Sequence, residues 1–96
     1  MDLFIFVRFH AREGNEQAVA EALAAVVPPS RAEAGCIDIH AFRSTRDASL
    51  FYIHSRWIDE AAFELHAIQM HTVHFIRTVE PLIDHPLEVT RATMIS

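Results

Sequence analysis

Three histidines, His66, His71 and His74, lie close together in the second half of the chain. If this region forms one continuous helix, with about 100° of rotation per residue, an arc of about 80° carries five side chains of interest. They are Phe63, His66, Met70, His74 and Arg77. Imidazole and guanidinium groups set among apolar side chains are typical of a small-molecule pocket. This face is therefore the predicted functional site.

The sequence does not decide whether that helix is continuous. Leu65, Ile68 and Val79 would point away from the arc. The alternative is a break near Gln69 and Met70, which would separate the members of the arc.

Metal binding and cysteine chemistry are both disfavoured. His71 and His74 are three residues apart and could share an ion on one helix face, but no carboxylate or cysteine completes a recognisable ligand set beside them. No metal and no other cofactor is therefore predicted. Cys36 is the only cysteine, which excludes an internal disulfide and fits a reducing cytoplasm. It has no defined base partner and is predicted to be a small buried residue.

The elements that must position these residues follow from apolar periodicity and turn residues. Strands are predicted at 3–10, 36–43, 50–57 and 87–95, and helices at 16–27, 60–69 and 71–83. Asn15 and Asp59 are the expected N-caps. Pro28 and Pro29 should interrupt the first helix, with Ser30 capping one further turn that ends at Gly35. The order β-α-β-β-α-β predicts a single α+β, ferredoxin-like domain over 1–96 with an antiparallel sheet.

Both faces of the predicted sheet are apolar. Phe51, Ile53 and Trp57 fall on one side of the third strand, while Leu50 and Tyr52 fall on the other. The helices can cover only one face, and the chain encodes no third layer. An exposed apolar sheet face is unfavourable in water, so a second copy related by a two-fold axis is predicted to cover it. The alternative is a monomer with an exposed ligand groove.

Charge and the length of the apolar runs disfavour two partners, nucleic acid and the membrane. The formal net charge is −5 and the arginines are scattered, so no basic stripe is available for nucleic acid. The apolar runs are far shorter than the roughly 20 residues of a membrane span. No membrane contact is predicted, and the expected location is the cytoplasm.

Two segments resemble the antibiotic biosynthesis monooxygenase family. One is Glu33-Ala34-Gly35-Cys36-Ile37, a glutamate-x-glycine-cysteine turn into a strand. The other runs from Phe51 through Trp57 to His66, an aromatic strand ending in Trp with a histidine nine positions later, and His71 follows as a second histidine. The resemblance covers nearly the whole chain and implies a dimeric α+β barrel.

The resemblance also implies a chemistry. Several members oxidise quinols or polycyclic phenols with molecular oxygen and without metal or flavin. His66 would be the base or hydrogen-bond donor, Trp57 a wall and Arg77 the stabiliser of developing negative charge. The remaining predicted substrate contacts are Phe63, Met70, His74, His54 and Arg8. The first strand lacks the Asn of the haem-degrading members, which disfavours haem degradation.

Two other functions are compatible with the same residues. Related small proteins isomerise a phosphorylated quorum-sensing metabolite, for which His66 would transfer a proton while Arg8 or Arg77 binds the phosphate. The other alternative, from a different class, is a small-ligand-binding dimer without catalysis.

Overall fold

The computed structural model describes residues 1–96 as a four-stranded antiparallel sheet with its helices on one face. The strands are β1 (Leu3–His10), β2 (Cys36–Arg43), β3 (Leu50–Trp57) and β4 (Glu88–Ala92), in the spatial order β2-β3-β1-β4. The helices are α1 (Glu16–Arg31), α2 (Glu60–Ala67) and α3 (Met70–Val79), and α3 continues into a 3₁₀ turn at Glu80–Leu82. The predicted order and ferredoxin-like α+β fold are confirmed.

The core lies between the helices and one face of the sheet, called here the covered face. Alternate residues of the central strands β1 and β3 point into it, because successive side chains of a strand alternate between faces. Phe9 and Phe51 face each other across the β1–β3 pair, with ring centroids 5.9 Å apart. The helices contribute buried residues such as Val19 and Phe75.

The opposite face of the sheet, called here the open face, has no helix over it. Phe6 on β1, Phe42 on β2 and Tyr52 on β3 lie on this face, and they are 50%, 51% and 39% exposed. The prediction that the helices cover one apolar face and leave a second is therefore confirmed for the single chain. No helix of the protein combines the length and hydropathy that crossing a membrane requires.

The prediction that Pro28 and Pro29 interrupt the first helix is wrong. Helix α1 continues through both prolines to Arg31. A proline removes the hydrogen bond to the carbonyl four residues earlier. Here those carbonyls belong to Ala24 and Ala25, which are exposed, so water can replace the lost bonds. Ser30 does not cap a new turn, since it is buried within α1 and its hydroxyl donates to the Val26 carbonyl oxygen at 2.7 Å.

The two predicted N-caps have different outcomes. Asp59 caps α2, with its side chain accepting from the backbone N–H of Ala62 at 2.8 Å. The side chain of Asn15 makes no capping bond. Glu16 instead accepts from the backbone N–H of Gly14, at 2.8 and 3.0 Å to its two oxygens. A carboxylate in the first turn thus satisfies the backbone before α1.

The second helical region is broken, which settles the question that the sequence leaves open. Gln69 has extended backbone angles (φ −66°, ψ 147°) and separates α2 from α3. The premise of one continuous helix, and with it the shared arc of five side chains, is therefore wrong. The last strand is also shorter than predicted, ending at Ala92 and pairing only with β1.

Candidate active site

An apolar cavity of about 260 Å³ lies between the covered face and the helices. Ile5, Val7 and Ile53 form its floor on the sheet, and Phe63 and Phe75 are among its walls on α2 and α3. The polar groups that reach the cavity are few, and they are the side chains of Ser30, Ser55, His66 and Thr72. An apolar enclosure with a few convergent polar groups is the usual form of a small-molecule site.

Trp57 lies behind this cavity and does not line it. The indole is fully buried, and its ring centroid is 4.5 Å from that of His66. Its Nε1–H donates to the Ser55 Oγ at 2.9 Å. Ser55 uses its oxygen as an acceptor there, so its O–H is left to donate towards a ligand in the cavity. Trp57 therefore supports His66 and orients Ser55, whereas the family resemblance implied that it would be a wall.

His66 is held by a carboxylate that comes from the other half of the chain. Its Nδ1 lies 2.7 Å from Glu33 Oε2, and the same oxygen lies 2.7 Å from His71 Nε2. The Thr72 hydroxyl is 3.3 Å from the same His66 nitrogen. With Nδ1 engaged by the carboxylate, Nε2 is the ring nitrogen of His66 that is left for a ligand.

The approach of Glu33 to the histidines depends on Gly35. A Cβ added at Gly35 would lie 2.4 Å from the Cβ of Ala62 on α2. Only glycine lets the turn between α1 and β2 pack this closely against α2. The glutamate-x-glycine-cysteine turn thus has a physical reason for its glycine, because the close packing brings Glu33 beside His66.

Cys36, the next residue in that turn, is not available as a nucleophile. Partial burial, together with the nearby charges of Glu33 and Asp38, raises the pKa of the thiol to about 11. The thiolate is the reactive form of cysteine, so Cys36 stays protonated and unreactive near neutral pH.

The residues predicted from α3 do not join the cavity. Met70 is 88% exposed, and Arg77 is also exposed. Neither side chain lines the cavity, since the break at Gln69 rotates α3 relative to α2. His74 lines a separate, smaller cleft of about 90 Å³ between α1 and α3.

Arg8 and His54 lie on the open face of the sheet, away from His66. Arg8 is exposed and pairs with Glu88 at 3.5 Å. His54 packs against Phe6, with ring centroids 5.0 Å apart. Both occupy the strand positions that alternate with the buried ones, so they cannot reach the cavity.

Glu33, Ser55 and Thr72 therefore belong to the site, although they were not among the residues predicted for it. Glu33 was present in the family-like turn, and the turn was the signal that could have located it. The expectation that no carboxylate stands beside the histidines is wrong, because Glu33 is distant in sequence but adjacent in the fold. Ser55 and Thr72 gave no separate signal, as their roles depend on the packing of Trp57 and His66.

A wider groove of about 550 Å³ lies elsewhere, between α1 and β2. Arg31 and Arg43 are at its edge, and both donate to backbone carbonyls of this chain. It contains none of the groups around His66, so the smaller and more enclosed cavity is the better candidate site.

Comparisons with known proteins support the fold described above. The family model described as antibiotic biosynthesis monooxygenase matches residues 3–79. The structure of PA3566 from Pseudomonas aeruginosa superposes with a TM-score of 0.92 at 32% identity, covering 99% of this chain and 95% of that one. Rv0793 from Mycobacterium tuberculosis gives a TM-score of 0.94 at 23% identity, covering 100% and 97%. SO0527 from Shewanella oneidensis gives 0.86 at 27% identity, covering 95% and 90%. The search of curated proteins produced no match.

Proposed function

We propose that this chain, which belongs to the antibiotic biosynthesis monooxygenase family, is a cofactor-independent oxygenase that uses molecular oxygen to oxidise a quinol or polycyclic phenol. The observation that carries the proposal is the apolar cavity with His66 in its wall. The cavity volume of about 260 Å³ is just below the usual range of about 300–1,000 Å³ for small-molecule sites, which favours a substrate with one ring or two fused rings.

In this proposal His66 accepts the phenolic proton at Nε2. Glu33 accepts from Nδ1–H, which fixes the tautomer in which Nε2 carries the lone pair and stabilises the imidazolium that forms. The Ser55 hydroxyl donates to the substrate oxygen as it becomes negative. It takes the role that the family resemblance implied for Arg77, which is exposed outside the cavity.

The deprotonated ring then transfers electrons to oxygen. For a quinol the overall reaction is quinol plus O₂ to hydroxyquinone plus water. One oxygen atom enters the ring and the other leaves as water, and the substrate supplies all four electrons. No reductant is needed, and the apolar walls protect the intermediates from solvent.

The proposed partner is a second copy of the chain, docked through the open face. Phe6, Phe42 and Tyr52 give that face an aromatic surface for which this chain supplies no cover. A two-fold pairing of two such faces buries the same residues on both copies. The expected assembly is the dimeric α+β barrel, and the expected location remains the cytoplasm.

The isomerase alternative is weaker. It requires a cation beside His66 to bind a phosphate, and none of the side chains that line the cavity is an arginine. The guanidinium of Arg91 lies over the ring of Phe63, 5.0 Å from its centroid. Glu60 and Glu64 already pair with it at 3.0 and 2.6 Å.

Oxygen uptake tests the proposal. The chelator-treated, flavin-free protein is incubated with one- and two-ring quinols, and uptake is compared with the autoxidation of each quinol alone. We expect uptake above that background, and one atom of ¹⁸O in the product when ¹⁸O₂ is supplied. His66→Ala should lower the rate by about 10²–10⁴-fold, the usual contribution of a general base.

His74→Ala is the matched control. It removes an exposed imidazole from α3 without touching the cavity, so it should retain the wild-type rate. If no quinol gives uptake above background, the oxygenase proposal is rejected. A ligand that raises the melting temperature without turnover would then indicate the binding alternative.

A further inference from the structure

We propose that Glu33, His66 and His71 form a binding site for a divalent transition-metal ion, with two imidazole nitrogens and one carboxylate oxygen as ligands. The candidate ligand atoms of the three residues all lie within 4.8 Å of one another. The histidine nitrogens are each 2.7 Å from Glu33 Oε2. This binding site does not depend on the oxygenase proposal.

The charge of the cluster favours a cation. The Glu33 side chain is only 14% exposed, and its ion-pair partners are the two histidines. No arginine pairs with it, and the chain contains no lysine at all. A carboxylate that is largely withdrawn from water and has no permanent cation beside it keeps a negative charge that a bound divalent ion would compensate.

The donor set selects the class of ion. Imidazole suits zinc, iron, nickel and copper, and two histidines with one carboxylate are a known combination for first-row divalent ions with open positions. Ligands with bonds of about 2.1 Å to one ion lie about 3.0–3.4 Å apart. Glu33 Oε2 therefore needs to withdraw from each nitrogen by a few tenths of an ångström, while the two nitrogens, which lie within 4.8 Å of each other, must come within the same range.

The three ligands come from separate segments that the fold holds together. Glu33 is on the turn after α1, His66 is near the end of α2, and His71 is in the first turn of α3. The extended backbone at Gln69 lets α2 and α3 direct their histidines to the same carboxylate. The cluster is thus assembled by the fold before any ion arrives, which lowers the cost of binding.

Metal binding would also change the state of His66. An ion bound at Nδ1 leaves the proton on Nε2, so His66 would donate a hydrogen bond and could no longer accept a proton there. If the proposed oxygenase reaction is correct, bound metal therefore inhibits it. This consequence alone rests on the proposed function.

Trp57 provides a direct readout of the site. It is the only tryptophan in the chain, and its ring centroid is 4.5 Å from that of His66. Co²⁺ bound to His66 should quench its fluorescence and show visible ligand-field absorption. Chelator-treated protein without an affinity tag is titrated with Co²⁺, and Zn²⁺ is then added as a competitor. We expect saturable quenching at one ion per chain, reversed by Zn²⁺.

Two variants locate the ion. His71→Ala and Glu33→Gln each remove a ligand, and each should weaken Co²⁺ binding by at least about 100-fold, since loss of even an outer-shell partner costs about 10–100-fold. His74→Ala, one turn further along α3, should bind as the wild type does. Far-ultraviolet circular dichroism and the Trp57 emission of the metal-free variants check that each is folded.

Two results would overturn the site. One is the absence of quenching and of ligand-field absorption up to millimolar Co²⁺ in the wild-type protein. The other is equal affinity in the folded His71→Ala and His74→Ala variants, which would mean that any ion binds elsewhere. Neither result bears on oxygen uptake by the metal-free protein, so this proposal and the oxygenase proposal fail separately.

Discussion

The two faces of the sheet carry similar aromatic side chains but are covered differently. On the covered face, Phe9 and Trp57 are completely buried under the helices. On the open face, Phe6 and Tyr52 are 50% and 39% exposed, although they lie on the same two strands. Strand composition therefore predicts cover for both faces, whereas the fold shows that the chain itself covers only one of them.

Paired truncations of the two faces should have very different effects on folding. Phe9→Ala removes a fully buried ring, so the free energy of unfolding should fall by about 3–5 kcal/mol. Phe6→Ala removes a half-exposed ring from the opposite face of β1. The free energy of unfolding of the isolated chain should therefore fall by less than about 1 kcal/mol. Urea unfolding at several protein concentrations measures both.

The same pair separates folding from assembly. If the open face forms the dimer, Phe6→Ala should weaken dimerisation in sedimentation experiments, whereas the folded fraction of Phe9→Ala should still associate. Equal effects of the two substitutions on unfolding, in protein shown to be monomeric, would contradict the distinction between the faces.

The packing of the helices over the covered face also depends on one close contact, between Gly35 and Ala62. Gly35→Ala places a methyl group 2.4 Å from the Cβ of Ala62, so the turn after α1 must move away from α2. We expect a loss of about 1–3 kcal/mol in stability, typical of overpacking. The double variant Gly35→Ala/Ala62→Gly should recover part of it, because it returns the space to the other partner, although a glycine within α2 itself costs about 0.5–1 kcal/mol.

This substitution also tests how Glu33 reaches His66. The displaced turn should lengthen the contact between Glu33 and His66, so the single variant should lose Co²⁺ affinity and the double variant should regain part of it. An unchanged stability of Gly35→Ala would show that the turn and α2 are not tightly packed.

The smallest effect concerns a pH-dependent contact at the end of the open face. His10 lies between Asp47 and Asp84, at 3.0 Å from each carboxylate. The hydrogen bond to Asp47, and then that to Asp84, raises the pKa of His10 above 6.5. The folded state is therefore stabilised below pH 6.5, and the contribution is lost as the pH rises through the raised value.

The contribution of Asp47, the partner of His10, to the stability of the fold has the opposite pH dependence. Hydrogen bonds from Ser49 and from His10 lower the pKa of Asp47 from 3.8 to about 2. Its contribution is present above pH 3.8 and is lost as the pH falls towards 2. Melting temperatures measured from about pH 2 to above pH 6.5 should show both losses of stability, that of Asp47 at low pH and that of His10 at high pH. His10→Gln should flatten the decline above pH 6.5, and His74→Ala should not. A wild-type profile unaffected by His10→Gln would contradict this assignment.

Much of the fold was predictable because its signals are local. Short runs of β-branched and aromatic residues located β1 and β3, and Asp59 marked the start of α2. The continuation of α1 through Pro28 and Pro29 was not predictable, since it depends on which carbonyls of that helix are exposed. The pattern of the strands predicts that an aromatic ring is buried, but it does not indicate whether that ring fills the core or borders a cavity.

The candidate site was predictable only where neighbours in sequence are neighbours in space. His66 and Phe63 were found, because both lie on α2 and face the sheet. Glu33 was not assigned to the site, because its approach to His66 requires the contact between Gly35 and Ala62. Arg77 and Met70 were included on the premise of a continuous helix, and the extended backbone at Gln69 removes that premise.

The fourth strand forms part of the cavity wall at one edge of the sheet. β4 has five residues, lies at the edge of the sheet and pairs only with β1, yet Val89 on this strand and Leu87 just before it border the cavity. Short edge segments separate from the sheet at a low free-energy cost. The rates of ligand entry and release should therefore follow the local opening of the carboxyl-terminal segment, so that residence time is set by a strand that carries none of the polar groups of the site.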